Sequence, residues 1–449
     1  MIFSFLKYIT PTRYYNLQPK SDHCYFPSPE QLMKEGYKVE MDLGYINEYS
    51  RKLDQAWNAF HAGYISHQSI CKGMNVWKPV TLPVQDEYRF IKKNFSSFWS
   101  FYVLCFRLIT FHSPFAEVTG FWRARKVARI DHSKNQFQHH GYKTFESPLI
   151  KSNPLVSIII PTLNRYPYLE DVLRDISTQT YKNFEVTVVD QSEPYQESFY
   201  QGWNFSLHYW YQEEKALWRA RNSAIQTAKG KYILLYDDDS LVEPDWIEQH
   251  LKTLDYFNAD LSSGVSISTM GAKVPAHYAY FRWSDQLDTG NVLIKREVFE
   301  QIGLFDRQFE KQRMGDGEYG LRAYLAGFRN ISNPFAKRIH LKIESGGLRQ
   351  MGSWDGFRPK SLFSPRPVPS VLYFYRRYFG VKASLLVILT SVLPSIVPYR
   401  LKHNQVLSLL TFMLIPILLP MIVIQVLRSW HASSRKIKQG AIISNLNSL

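Results

Sequence analysis

Tyr232-Ile233-Leu234-Leu235-Tyr236 runs without interruption into Asp237-Asp238-Asp239. The first five residues form a short apolar run of the kind that makes a buried strand. The three carboxylates at its end repel one another and are costly to bury unpaired. A hard divalent cation, with phosphate oxygens completing its shell, resolves that cost. A solvated acidic turn is the alternative that residue type alone allows, so the neighbouring segments decide.

Working outward, residues 155–160 read as a buried strand stopped by Pro161, and 168–177 as a helix with Leu169, Val172, Leu173 and Ile176 on one face. A second strand covers 184–189 and ends in Asp190, and a third covers 208–211. Residues 216–228 form a helix with Ala220, Ala224, Ile225 and Ala228 inward and Gly230 as its stop. Strands alternating with helices imply a parallel sheet covered on both faces. Ligands of such sheets sit at the carboxyl ends of the strands. Thr162, Asn164, Asp190 and the Asp triplet all fall at those ends, which is a geometric argument for a site.

Several segments resemble family 2 of the glycosyltransferases, on the GT-A fold. They are Pro154-Leu155-Val156-Ser157-Ile158-Ile159-Ile160-Pro161-Thr162-Leu163-Asn164-Arg165, Val188-Val189-Asp190-Gln191-Ser192, Arg221-Asn222 and the triplet with Pro244 downstream. Thr289-Gly290-Asn291, residues 299–306, Gly315-Asp316-Gly317-Glu318-Tyr319-Gly320-Leu321-Arg322 and Ala326-Gly327-Phe328-Arg329 extend the likeness. It covers residues 154–345. The resemblance implies an α/β fold with a doubly wound mixed sheet, and a nucleotide-diphosphate sugar as donor. It places Thr162 near the nucleoside, Asp190 on the base, Arg221 and Asn222 near the phosphates, and Asp237 on ribose or metal. Asp239 would hold Mg2+ or Mn2+, with His340 completing the shell, while strand alternation turns Asp238 the other way. Asp316 is the expected general base of an inverting displacement. Glu318 is the reserve, paired with Arg322. Gly290 and Asn291 line the acceptor side, and Trp283 either stacks on a sugar or belongs to the core. Two positions depart from the family pattern: Gln191 stands where a second acid is common, and Gly315 replaces the first acid of a Glu-Asp pair. They leave a catalytically inactive, membrane-recruiting relative as the alternative function. The Gln-x-x-Arg-Trp motif of the family's processive synthases is missing, so addition of single sugars is expected, as in surface polysaccharide synthesis. A nucleotidyltransferase is disfavoured because no glycine follows the first strand.

The organisation expected is an accessory region of unknown role over 1–150, the catalytic domain over 151–345, and a basic, apolar membrane-anchoring region over 346–449. The net charge is +15. Residues 335–449 hold sixteen Lys/Arg against Glu344 and Asp355, 16 − 2 = +14, so nearly the whole excess lies there. Basic residues beside apolar runs suit anionic lipid, and no nucleic-acid motif is present. Residues 384–397 and 406–427 are apolar, and the second run is long enough to span a bilayer. Pro394, Pro398, Pro416 and Pro420 interrupt the two runs, and the connector carries Arg400 and Lys402. A re-entrant or interfacial anchor on the cytoplasmic face fits these features better than a spanning hairpin, and a lipid-linked or glycan acceptor would explain it. Residues 98–111, strongly apolar but too short to span, read as either a core helix or an interfacial one. A helix is expected within 46–69, and His139-His140 reads as a solvated loop. Cys24, Cys71 and Cys105 are odd in number and widely spaced, which suggests reduced thiols. No signal peptide is expected, because residues 1–9 are too short and lack a small-residue cleavage site.

Overall fold

The computed structural model describes residues 1–446 apart from 38–39, 67–71, 270–273, 285–286, 344–345, 349–354, 359–360, 362 and 398–413. Contacts divide the chain into two compact units. Unit 1 is Met1–His139 with Tyr280–Trp283 and Phe379–Thr390; unit 2 is His140–Ala279, Ser284–Tyr378 and Ser391–Leu449. The region expected to form a separate anchor over 346–449 is thus shared between them.

Unit 1 is helical. Its principal helices are α1 (Glu48–His61), α2 (Val84–Asn94), α3 (Ser97–Ile109) and α4 (Pro114–Ala124). Aromatic side chains fill its core: Phe3 stacks on Phe90 at 3.9 Å and Phe26 on Phe60 at 4.7 Å. Trp283 belongs to this core, buried with its ring 4.3 Å from Tyr25. Cys24 is disulfide-bonded while Cys105 is a free thiol, which corrects the expectation of uniformly reduced cysteines.

Unit 2 contains the sheet. Its strands are β1 (Val156–Thr162), β2 (Phe184–Asp190), β3 (Ser206–Tyr211), β4 (Tyr232–Tyr236), β5 (Ser240–Val242), β6 (Leu261–Ser268), β7 (Asn291–Lys295) and β8 (Asn330–His340). They hydrogen-bond in the order β3-β2-β1-β4-β7-β6-β8-β5. β1 to β4 are mutually parallel, β7 runs antiparallel to β4 and β6, and β6 pairs in parallel with β8. The sheet is therefore mixed, as expected, with the parallel half carrying the strand-end residues. Every residue of β1, β2 and β4 is buried, the mark of strands covered on both faces. The covering helices are α5 (Tyr166–Ser177), α6 (Leu217–Thr227) and α7 (Trp246–Tyr256). Two more, α8 (Arg296–Ile302) and α9 (Gly315–Ala326), follow the antiparallel half.

The chain from Pro369 to Val387 is helical with a break at Gly380 (φ 79°), and a final helix, α10, runs Ile415–Gln439. Pro369–Ile396 and Ile415–Gln439 are long and apolar enough to cross a membrane. The connector 399–404 and the first part of the 406–427 run lie outside the described residues. Beyond α10 the chain returns along the loop before α9: Leu304 N–H donates to Ser444 O at 2.9 Å and Arg307 N–H to Ile442 O at 3.0 Å. Buried Asp306 anchors this return, accepting from Ile442 N–H, Tyr373 Oη and Arg377 Nη1.

Candidate active site

Asp237, Asp238 and Asp239 leave the carboxyl end of β4. In the parallel pairing Ile159 lies beside Leu235, and continuing that register by three residues brings Thr162 beside Asp238. Thr162 Oγ1 donates to Asp238 Oδ2 at 2.8 Å and Arg165 Nη1 to Oδ1 at 2.9 Å. Asp238 is thus held against the protein. Burial pushes its carboxyl up to about 6, against the pull of Arg165.

Asp239 reaches between Arg165 and β8. β5 and β8 are antiparallel with Ser240 opposite His340, which sets His340 Nε2 3.3 Å from Asp239 Oδ1. Asp239 Oδ2 meets Arg165 Nη1 at 3.0 Å. His340 is buried, and its Nε2 has no hydrogen-bond partner among the described residues. One ligand atom each from Asp237, Asp239 and His340 fall within 4.8 Å of one another. Oxygens bound to Mg2+ at ~2.1 Å stand at most ~4.2 Å apart, so a small inward shift would close the three around one ion. A buried imidazole nitrogen without a hydrogen bond, set beside the carboxylates of Asp237 and Asp239, fits a divalent cation.

Two buried arginines bracket Asp237. Arg221 Nη2 donates to its Oδ1 and Arg338 Nη1 to its Oδ2, both at 2.8 Å. Arg221 also reaches Thr289 O at 2.9 Å. Arg338 forks onto both oxygens of Asp288 at 2.9 Å and donates from Nε to Ser266 Oγ at 2.7 Å. Burial by itself would lower the Arg338 guanidinium, but Asp288 and Asp237 outweigh it and hold it above its ordinary value. For Arg221 burial prevails over the carboxylates and the value falls.

Gly290 makes this bracket possible. A Cβ there would lie 1.9 Å from Arg338 Nη1 and 2.2 Å from Asp237 Oδ2. Gly290→Ala is expected to cost about 1–3 kcal/mol and to weaken nucleotide binding, read as a lower thermal midpoint and a higher Kd by calorimetry. Parental values in both would remove this packing role.

Asp316 stands in the first turn of α9, half-buried. Burial raises its carboxyl above the usual range, opposed by Arg313 and by the Gly317 N–H that its Oδ1 accepts at 2.9 Å. Met314, just before the helix, has φ 84°, a left-handed conformation that costs a non-glycine residue roughly 1–2 kcal/mol. At Gly315 a Cβ would lie 2.3 Å from the Trp218 ring. The departure from a family acid there is steric: the Trp218 indole, whose Nε1 donates to Phe309 O at 3.2 Å, takes that space.

One cavity joins these groups. Arg165, Trp218, Arg221, Arg313 and Thr289 line it together with Asp237, Asp238, Asp239, Asp288 and Asp316. The lining has five carboxylates and three guanidiniums, and with Arg338 behind the wall the formal balance is 5 − 4, one negative charge in excess. That balance repels a diphosphate, and a bound divalent cation would reverse its sign.

The other expected residues lie outside this lining. Asp190 is buried, with its oxygens taking Tyr166 Oη at 2.6 Å, Tyr200 Oη at 2.7 Å and Ser192 N–H at 2.8 Å. Gln191 accepts Ala216 N–H at 2.6 Å and so ties β2 to the start of α6. Asn222 clamps Phe305 through both its carbonyl oxygen and its amide. Asn291 bonds Trp246 Nε1 and the carbonyls of Val265 and Ala336. Glu318 is buried between Arg322, as expected, and Tyr378 Oη. Arg165, Trp218, Asp288, Arg313 and Arg338 were not singled out from the sequence. Arg338 had a signal: it precedes His340 by two residues on one strand and so shares its face.

Residues 157–311 match the family described as Glycosyl transferase family 2. Glycosyltransferase GlyA of Streptococcus pneumoniae serotype 4 is 28% identical over 167 residues, 35% of this chain and 22% of that protein. An uncharacterized glycosyltransferase of Rickettsia typhi is 30% identical over 178 residues, 35% of this chain and 55% of that protein. The match therefore spans about a fifth of the first relative and about half of the second. Among solved structures, TarS 1-349 of S. aureus in complex with UDP-GlcNAc has a TM-score of 0.42 at 16% identity, covering 64% of this chain and 92% of that one. The mannosyltransferase PcManGT of Pyrobaculum calidifontis, in complex with GDP-Man and Mn2+, has 0.42 at 16%, covering 68% and 92%.

Proposed function

We propose that residues 157–311, which match the family described as Glycosyl transferase family 2, are a GT-A glycosyltransferase domain, and that the chain moves a single sugar, with inversion, from a nucleotide-diphosphate sugar to a hydroxyl of a glycan or lipid-linked acceptor. The observation that carries this reading is the sharing of one cavity by Asp316 and the Asp237–Asp239 carboxylates. Asp316 takes the proton of the acceptor hydroxyl while its oxygen bonds to the anomeric carbon. The bond from that carbon to the phosphate oxygen breaks, and the nucleoside diphosphate leaves with the electron pair. Asp237, Asp239 and His340 would hold Mg2+ or Mn2+, which when bound offsets the charge of the leaving diphosphate. Arg221 and Arg338 fix Asp237, Arg165 positions Asp238 and Asp239, and Arg313 lies beside the base. Thr162 and Asp190 are assigned to the nucleoside side, Asn222 to the phosphate side, and Gly290, Asn291 and Glu318 to the acceptor side. The sugar is a hexose or deoxyhexose, the setting is surface polysaccharide synthesis, and the apolar C-terminal helices hold the enzyme at the cytoplasmic face of the membrane.

Incubation with a panel of nucleotide sugars and Mg2+ or Mn2+ tests this. Release of nucleoside diphosphate is expected with one donor and lost with chelator; no release with any donor would overturn the reading. Asp239→Ala is expected to weaken cation-dependent nucleotide binding at least ~100-fold, and undiminished binding by calorimetry would remove its metal role.

A further inference from the structure

The helical hairpin α3–α4 of unit 1 is built inside out. α3 turns Ser100, Val103, Leu104 and Arg107 inward. α4 turns Glu117, Gly120 and Ala124 inward. Its charges are spent there: Arg107 pairs with Glu117 at 2.7 Å, and Glu117 accepts from Tyr88 Oη at 2.7 Å. The outward side carries Phe98, Phe101, Ile109, Phe111, Phe115 and Trp122, with Phe111 97% and Phe115 83% exposed. Phe115, Val118 and Trp122 recur at helical spacing on one face of α4. A surface helix in water turns its polar face outward, and scattered single apolar residues need no explanation. Here two successive helices and their connection turn the same apolar side out.

The charge beside the hairpin fits one kind of surface. Residues 92–130 contain seven Lys/Arg and one acid, Glu117, 7 − 1 = +6. Glu117 is the buried partner of Arg107, while Arg123, Arg125, Lys126 and Arg129 are exposed at the end of α4. Aromatic rings with adjacent cations suit the boundary between acyl chains and anionic headgroups. Phe379–Thr390, part of a helix apolar enough to span a membrane, belongs to the same compact unit.

We propose that the α3–α4 hairpin is a second membrane contact, inserting its aromatic face into an anionic lipid surface independently of the C-terminal helices. The contact rests on the membrane reading of the chain, so the test separates the two. A polarity-sensitive fluorophore is placed on the full chain at Phe115→Cys, with Val118→Cys as a second site, in a Cys105→Ser background. The protein is mixed with vesicles of phosphatidylcholine and phosphatidylglycerol, and sedimentation and emission are read together. The expected result is a shift to shorter wavelength and quenching by lipids brominated on the acyl chain. Most of the shift is lost with phosphatidylcholine alone or with Arg123→Gln, Arg125→Gln and Lys126→Gln combined. If the chain sediments while both labels stay in water, the hairpin contact is overturned and the C-terminal anchor stands. If the chain does not sediment, both fall. A shift that needs no vesicles and follows protein concentration identifies a second copy as the occupant and also overturns the proposal.

Discussion

Asp316→Asn is expected to lower sugar transfer by ~10²–10⁴-fold, the usual contribution of a positioned general base, with donor binding unchanged. Asparagine keeps the size of the side chain and can still accept the Gly317 N–H, but it cannot take a proton. The pH profile supplies an independent readout. In the proposed role Asp316 is active only when ionised, and burial raises its carboxyl above the ordinary range. Transfer should therefore fall as the pH drops through that raised value, along an acid limb lying above the limb of an exposed aspartate. The asparagine variant should lose the limb as well as the rate. Parental rate in a folded variant would move the base role elsewhere. Glu318 is poorly placed to inherit it, because Arg322 and Tyr378 hold its carboxylate inside the protein.

The parallel half of the sheet was legible because its strands are short apolar runs closed by polar residues. The Tyr232–Tyr236 strand follows from its apolar run, but the triplet leaves it as a turn in which Asp238 and Asp239 share Arg165 and all three carboxylates line the cavity, so strand alternation does not set Asp238 apart. The nearness of His340 to Asp239 has no local signal, since nothing in Ile339-His340-Leu341 says that β5 will pair beside it. The acceptor-side reading of Asn291 fared differently. Asn291 sits at the start of a buried strand, and a buried amide is satisfied by whatever packs against it, here Trp246 on the covering helix α7 and the carbonyls of Val265 and Ala336 on β6 and β8. That partner set depends on how α7, β6 and β8 pack around β7, which single-chain periodicity does not specify. The hairpin α3–α4 was ambiguous for a related reason: an apolar 14-residue run does not say which of its faces is covered, and the structure leaves the aromatic face open.

The cavity's charge pattern explains why so much of the site escaped sequence reading. A family motif marks groups that touch ligand, whereas Arg338 and Asp288 act on Asp237 from behind. Arg338 is 2% exposed and meets Asp237, Asp288, Ser240 and Ser266. Its strand is alternately buried and exposed from Ala336 to His340, and in that pattern an inward arginine reads as an exception unless its carboxylates are known.

Arg338→Met is the stability counterpart. Removing one partner of a fully buried ion pair costs about 3–5 kcal/mol, and the cost here is smaller because Asp237 and Asp288 keep 22% and 37% of their side-chain exposure. Here two carboxylates are left, Asp237 and Asp288, with Arg221 remaining on Asp237 alone. Arg338→Met is therefore expected to lower the thermal midpoint and to weaken nucleotide binding by loosening Asp237. Arg338→Lys should recover part of the stability and less of the binding, since an ammonium is a point charge and cannot fork onto Asp288 while reaching Asp237. Adding Asp288→Asn to Arg338→Met should cost less than the sum of the two single changes, because the second substitution removes a charge that the first has stranded. Strict additivity in that cycle would mean that Arg338 and Asp288 do not act as a pair.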